Sequence, residues 1–292
     1  MLWWAAVLVA TCACNSILGI DPTDLTAAAG RPPPACPALG GTPTFYGELH
    51  QLPAARDCVS YSPNVDLKLA AARCNDVLSI GPLDEPLAPI TASPLVSYYK
   101  DGPHLEPDGD HFMMVWFDTI VGQHAVAEFA RGPDDTWTGG TPLHIAVLGT
   151  AGFYISNPTA GTDRRMVYQD YDYSLQRGSV VELADRGAGW KELWRYSNAE
   201  LFPAEPTTEL YEQSLSPDGL RMVFTAAQDI TRPDGTTKTV WGTFYSDRAT
   251  LDDHFTAARE IPAVPPDIYD PYLTPDCGRV YFEGLGTIFY LE

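Results

Sequence analysis

Positive charge is what this 292-residue sequence has least of: 18 Lys and Arg stand against 38 Asp and Glu, a formal net charge of −20. Nucleic acid is thereby excluded as a partner, because binding it requires a basic surface. The same balance argues against electrostatic docking on anionic lipid. Catalytic signatures are also missing. The chain has no Gly-x-Ser-x-Gly elbow, no phosphate loop and no His-Glu-x-x-His helix. Its six histidines (His50, His104, His111, His124, His144 and His254) are scattered, with no pair at helical metal spacing. Acidic clusters at Asp101 to Asp110, Asp170-Tyr171-Asp172 and Asp267 to Asp270 offer oxygen ligands for Ca²⁺, but none has a loop spacing specific for it. They read as solvated turns, and no metal or cofactor is expected.

Helix-period stretches are few. Asp66–Cys74 and Asp252–Glu260 fit a short helix, a strand or a loop equally well. Turn residues are plentiful: Gly and Pro make up 50 of the 292 residues, short of the disordered range of roughly 25–30%. The most informative pattern is a turn. Ser216-Pro217-Asp218-Gly219 leads into the apolar run Leu220–Phe224, and Thr274-Pro275-Asp276-Cys277-Gly278 leads into Arg279–Phe282. Pro presets φ near −65°, Asp caps the turn with its carboxylate, and Gly takes the positive φ that restarts a strand. Pro107-Asp108-Gly109 precedes His111–Phe117 in the same way, while copies around Pro158 and Pro63 are looser. The five prolines stand 44, 51, 59 and 58 residues apart, near the propeller repeat of roughly 40 to 50 residues with loop insertions added.

The Ser-Pro-Asp-Gly-x-x-hydrophobic-hydrophobic-Phe pattern resembles the WD40-like Pro-Asp repeat of TolB-type β-propellers, over about residues 45–292. In that family the motif bridges the first and second strands of each four-stranded blade. The resemblance implies structural turn roles for Pro107, Asp108, Gly109, Pro217, Asp218, Gly219, Pro275, Asp276 and Gly278. Asn64 stands in place of Asp in the first copy, and Cys277 displaces Gly in the last. Further β-rich runs at Ala125–Phe129, Ser179–Leu183, Thr239–Tyr245 and Thr287–Leu291 read as third strands. The expected fold is all-β: a propeller of about five four-stranded blades, six if 180–215 holds another unit. A β-sandwich of the same short strands is the alternative. The chain stops after a third strand, so a strand within Pro43–His50 is expected to close the ring beside Thr287–Leu291.

The N-terminal run Leu2–Ala10 is too short to span a bilayer but suits a signal-peptide core. Thr11-Cys12-Ala13-Cys14 resembles a bacterial lipoprotein cleavage site, with Cys14 the expected lipidated residue and Cys12 the alternative. Asn15 to Asp21 also resembles the start of lipoproteins of myxobacteria. Asn15 after the lipidated Cys implies the outer membrane. Signal peptides open with basic residues and the first here is Arg31, which points to an upstream start or an atypical signal. The expected organisation is a signal peptide over 1–13, a Pro-rich, lipid-anchored tether over 14–43, and one propeller over 44–292.

Four further cysteines, an even number in an exported chain, suggest two disulfides and allow three connectivities. Cys58 and Cys74 flank the first turn and are candidates to pair locally, which leaves Cys36 for Cys277; free buried thiols are the alternative. The function expected is that of a non-catalytic cell-envelope lipoprotein, by resemblance to TolB. Its propeller face or channel would bind an envelope protein or small ligand, with the membrane reached by the N-terminal lipid only. The alternative is a carbohydrate-active enzyme, lyase- or hydrolase-like, with a site in the channel.

Overall fold

The computed structural model describes residues 48–292 except 64–67, 76, 91–99, 106–110, 119–122, 133–135, 144–152, 155–163, 173–176, 186–189, 205–208, 217, 232–234, 262–263, 266–267, 275–276 and 285. The expectations for Cys14, the tether, Cys36, Pro107-Asp108-Gly109, Pro217 and Pro275-Asp276 lie outside the described residues.

The described residues form five antiparallel sheets of four strands each. Sheet 1 is β2 (Cys58–Pro63), β3 (Leu69–Cys74), β4 (Val77–Pro82) and β5 (Ala88–Pro89). Sheet 2 is β6 (Lys100–Leu105), β7 (His111–Asp118), β8 (Gln123–Arg131) and β9 (Trp137–Leu143). Sheet 3 is β10 (Phe153–Tyr154), β11 (Arg164–Asp172), β12 (Arg177–Asp185) and β13 (Trp190–Ser197). Sheet 4 is β14 (Glu209–Leu215), β15 (Arg221–Thr231), β16 (Thr237–Asp247) and β17 (Arg259–Glu260). Sheet 5 joins β18 (Tyr269–Leu273), β19 (Val280–Gly284) and β20 (Thr287–Leu291) to β1 (His50–Leu52), in the order β18-β19-β20-β1.

The first strands of successive sheets touch in sequence, β2 on β6, β6 on β10, β10 on β14 and β14 on β18, and β18 comes back to β2. Five sheets radiating from a closed ring of inner strands make a β-propeller. The segment 180–215 supplies the end of β12, β13, one turn of helix α1 (Asn198–Leu201) and the whole of β14, with no further sheet among its described residues. Asp66–Cys74 yields β3, and the stretch from Asp252 to Glu260 is loop ending in β17, so neither is a helix.

The core lies between sheets. Val167, Val180 and Tyr196 of sheet 3 pack with Leu210, Met222, Phe224 and Phe244 of sheet 4. Val223 and Tyr245 of sheet 4 pack instead with Leu273, Val280 and Phe282 of sheet 5. Met222, Val223 and Phe224 are all fully buried although neighbours in a strand point to opposite faces. A sheet covered on both faces explains why the apolar runs do not alternate.

The ring closes through its N-terminal strand. His50, Gln51 and Leu52 pair antiparallel with Tyr290, Phe289 and Ile288. Of the expected donor Pro43–His50, residues 43–47 lie outside the described residues; among the rest His50 pairs, and the strand runs on to Leu52. At the seam Tyr61 and Tyr281 pack with ring centroids 4.8 Å apart, and Tyr281 donates its hydroxyl to Asp84 at 2.7 Å. Arg279 bridges to the same carboxylate at 2.7 Å. Cys58 and Cys74 form a disulfide across β2 and β3. Cys277 is disulfide-bonded as well, to a partner outside the described residues.

The Ser216–Gly219 turn joins β14 to β15, the first and second strands of its sheet. Gly219 has φ +69° and donates its N–H to the Ser216 carbonyl at 2.8 Å. Asp218 Oδ1 accepts the Leu220 N–H at 3.0 Å, the cap expected of that carboxylate. In the last copy Cys277, which displaces the motif's glycine, holds the left-handed conformation, φ +56°, and donates its N–H to the Thr274 carbonyl at 2.8 Å. The two turns have the same length.

Candidate functional site

A meander of four strands returns the chain to the end of the ring from which it set out, so every inner strand begins at the same end. The Pro-Asp-Gly turns, between first and second strands, sit at the other. The two ends are built differently.

The turn end is stapled. Glu182, fully buried on β12, accepts from Arg165 Nη1 at 2.8 Å and from Arg248 Nη1 and Nη2 at 2.8 Å each. Tyr196 donates its hydroxyl to the same carboxylate at 3.2 Å. Arg248, just past β16, also gives its Nε–H to the Gly219 carbonyl at 2.7 Å and lies over the Phe255 ring. Burial pushes the Tyr196 hydroxyl well above the ordinary tyrosine range, and the Glu182 charge adds to it. One carboxylate held by two guanidiniums from two sheets is a structural clamp. A crevice of about 270 Å³ beside it, lined by Tyr245, Asp247, Arg248 and Arg259, has its charges already committed. Asp247 holds Arg221 in a two-point pair, and Arg259 is raised by its hydrogen bond to Tyr245.

The opposite end carries the register breaks of the inner strands; those of β12 and β8 lie toward the turn end. Four inner strands break register near their starts: β2 between Val59 and Ser62, β6 between Asp101 and His104, β14 between Tyr211 and Gln213, β18 between Tyr269 and Tyr272. Bulges of this kind re-aim side chains and are common beside active sites. The residues at these breaks include Glu212 and Asp270, with Asp101 at the edge of its own. Asp270 is 7% exposed and adopts φ +57°, uncommon for a residue with a Cβ. Its N–H reaches across to Thr225 Oγ1 of sheet 4 at 3.2 Å. Gln213, next to Glu212 and fully buried, meets no hydrogen-bond partner among the described residues with either amide atom. Tyr272, whose hydroxyl burial pushes up, shares a hydrogen bond with Ser62, and Ser62 Oγ accepts the Leu105 N–H at 3.2 Å. The inner ring thus carries a polar belt within an otherwise apolar core.

Asp101 and Asp270, read from sequence as parts of solvated turns, are inner-strand residues, whereas Asp170 and Asp172 end the second strand β11. Of the histidines on described strands, His104 alone lies on an inner strand. His50 stacks on Tyr290 at the rim, and His254 packs edge-on to Trp194. Among the described residues no three His, Cys, Asp or Glu side chains gather as a metal site. The sequence signal for the inner carboxylates was present but weak: acidic residues at the start of short polar strands.

No family model matches the chain. No curated protein matches it either. Solved structures do. The chain is similar to a thermostable family-43 glycoside hydrolase at 10% identity and TM-score 0.52, covering 83% of this chain and 91% of that one. It is similar to an α-L-arabinanase of Penicillium chrysogenum complexed with arabinobiose at 12% identity and TM-score 0.48, over 84% and 81% of the two chains. The β-propeller domain of the Trilobed protease from Pyrococcus furiosus aligns at 6% identity and TM-score 0.36, over 79% and 64%. At such identities a likeness bears on fold alone, and the all-β propeller is the fold.

Proposed function

We propose that the chain is a carbohydrate-active, five-bladed propeller whose site lies at the end of the ring axis opposite the Pro-Asp-Gly turns. The observation that carries this is Asp270: a buried carboxylate in a left-handed backbone, at a register break of an inner strand, held there by the neighbouring sheet. Backbone strain maintained by surrounding structure is characteristic of functional positions. Glu212 occupies the corresponding break of the adjacent inner strand. Glycosidic hydrolysis typically uses two carboxyl groups, one giving a proton to the leaving oxygen and one attacking the sugar or activating water. Asp270 and Glu212 are the pair assigned, with Asp101 a third acidic group on the ring. The fold shared with a glycoside hydrolase is compatible with this reading.

Export belongs to the same proposal. A signal peptide over 1–13, lipidation at Cys14 and a tether over 14–43 would hold the propeller at the envelope, most simply the outer membrane. The Cys58–Cys74 disulfide suits an oxidising compartment, and Cys36 is the proposed partner of Cys277. The TolB-type resemblance of the turns supports the architecture and the envelope setting only.

The test is reducing-end release from a panel of polysaccharides by the wild type and by Asp270→Asn and Glu212→Gln. Asn tolerates the left-handed conformation, so Asp270→Asn should fold. Cleavage by the wild type and its loss in both variants is the expected result. A wild type that neither binds nor cleaves any glycan rejects the reading. Binding without cleavage, unchanged in both variants, returns the chain to the non-catalytic envelope-binding function.

A further inference from the structure

We propose that Trp241 and Tyr269 form the stacking platform of a groove for a neutral glycan, running outward from the ring axis between sheets 4 and 5. This rests on the carbohydrate reading above. Three large hydrophobic side chains are notably exposed among the described residues: Val77, Trp241 and Tyr269, the last two at 37% each. Single exposed apolar residues need no explanation, but two aromatics at one junction do.

Their neighbourhood follows from register. Tyr269 precedes Asp270, whose N–H is bonded to Thr225 of β15. Thr225 pairs with Thr243 of β16, and Trp241 lies two residues further along the same face, opposite Ala227. Two residues of strand span about 7 Å and one strand spacing about 5 Å, so the aromatic pair and Asp270 fall within reach of one short oligosaccharide. β18 packs against β14, β15 and β16 alike, so the line from Tyr269 to Trp241 leads from the inner ring toward the rim. Trp241 also stands where, among the described residues, the β15–β16 hairpin begins to rise above its neighbours: β14 is paired along β15 as far as Ala227, and β17 pairs Phe244 and Tyr245.

Aromatic rings offer a flat apolar face with a polar edge, which suits the C–H face of a sugar ring flanked by hydroxyls. The charge decides which sugars. A chain of net charge −20, with Asp270 and Glu283 beside the platform, repels polyuronates and sulfated glycans and leaves neutral ones.

Affinity electrophoresis through arabinan, xylan, β-glucan and polygalacturonate tests this, using wild type, Trp241→Ala and Tyr269→Ala, each checked for an unchanged melting temperature. At least one neutral polymer should retard the wild type, with each aromatic variant bound roughly tenfold more weakly, as loss of one stacked ring implies. If both aromatic variants bind as the wild type does, or polygalacturonate is preferred, the platform is wrong while the carbohydrate reading stands. If the wild type binds no polymer, both fall together.

Discussion

Replacing Glu182 with Gln removes one charge from the most enclosed ionic cluster among the described residues, and the cost can be worked from its contacts. Glu182 is fully buried and receives three guanidinium hydrogen bonds of 2.8 Å and one from the Tyr196 hydroxyl. A Gln amide keeps one acceptor oxygen and turns an NH₂ group toward a donor. The side chains of Arg165 and Arg248, 2% and 0% exposed, then face each other without a counter-charge. Breaking a buried pair in this way costs about 3–5 kcal/mol. For a domain of this size 1 kcal/mol moves the melting temperature by roughly 2–4 °C, so the midpoint should fall by about 6–20 °C. Glu192 is the internal control: its pair with Arg195 is 46% and 43% exposed, and Glu192→Gln should cost no more than about 1 kcal/mol. Thermal unfolding followed by circular dichroism at pH 7, in low salt and in 1 M NaCl, reads both. Salt should not mask the Glu182 effect, because the cluster lies out of reach of screening. A Glu182→Gln midpoint within about 2 °C of wild type, or no lower than that of Glu192→Gln, refutes the reasoning.

Gly219→Ala should destabilise by about 1–3 kcal/mol in urea titrations, since φ is +69° and the new Cβ would stand 2.8 Å from Leu251 Cδ2; an unchanged midpoint means the turn is misread. Tyr61, Tyr196, Tyr272 and Tyr281 all have hydroxyls pushed up by burial. The folded chain keeps protons that the unfolded chain releases above about pH 10, so melting temperature should hold below that pH and fall as it rises beyond. A flat profile to pH 11 contradicts this. Deleting residues 15–52 takes away β1 and should give insoluble protein or lose cooperative unfolding, whereas deleting 22–35 should be nearly silent; equal stability of the two refutes closure by β1. Cys14→Ala should abolish labelling by a fatty-acid analogue and Cys12→Ala should not, so label retained on Cys14→Ala moves the anchor elsewhere.

What could be read in advance follows the range of the forces involved. The turn at Gly219 and the third strands β8, β12, β16 and β20 rest on local chemistry, turn residues and β-branched or aromatic runs, and both were visible in the chain. The inner strands were not. β14 reads Glu-Leu-Tyr-Glu-Gln-Ser-Leu and β18 contains Pro271, residues that argue for edges or loops. Position at the hub, with its register breaks, overrides that preference. Asp270 looked like part of a solvated acidic turn for the same reason. Arg165, Glu182 and Arg248 lie 17 and 66 residues apart, so no local pattern announces their clamp. Cys277 assumes the conformation expected of glycine at the glycine's place in the motif, which residue propensity does not register. His50–Leu52 has little strand character of its own, and β20 decides where it pairs.

That late pairing orders events in time. Sheets 1 to 4 each draw on one contiguous stretch of chain and can assemble as synthesis or translocation delivers it. Sheet 5 cannot, because Gln51 waits for Thr287, 236 positions downstream. Contacts of such sequence separation form slowly, and the wait leaves one strand edge seeking a mate at each end of the chain. At high concentration the nearest mate is another molecule's: β1 of one chain can complete the fifth sheet of a second, with residues 53–57 as the hinge. The ring that makes the propeller compact also makes exchange between copies its characteristic way to go wrong.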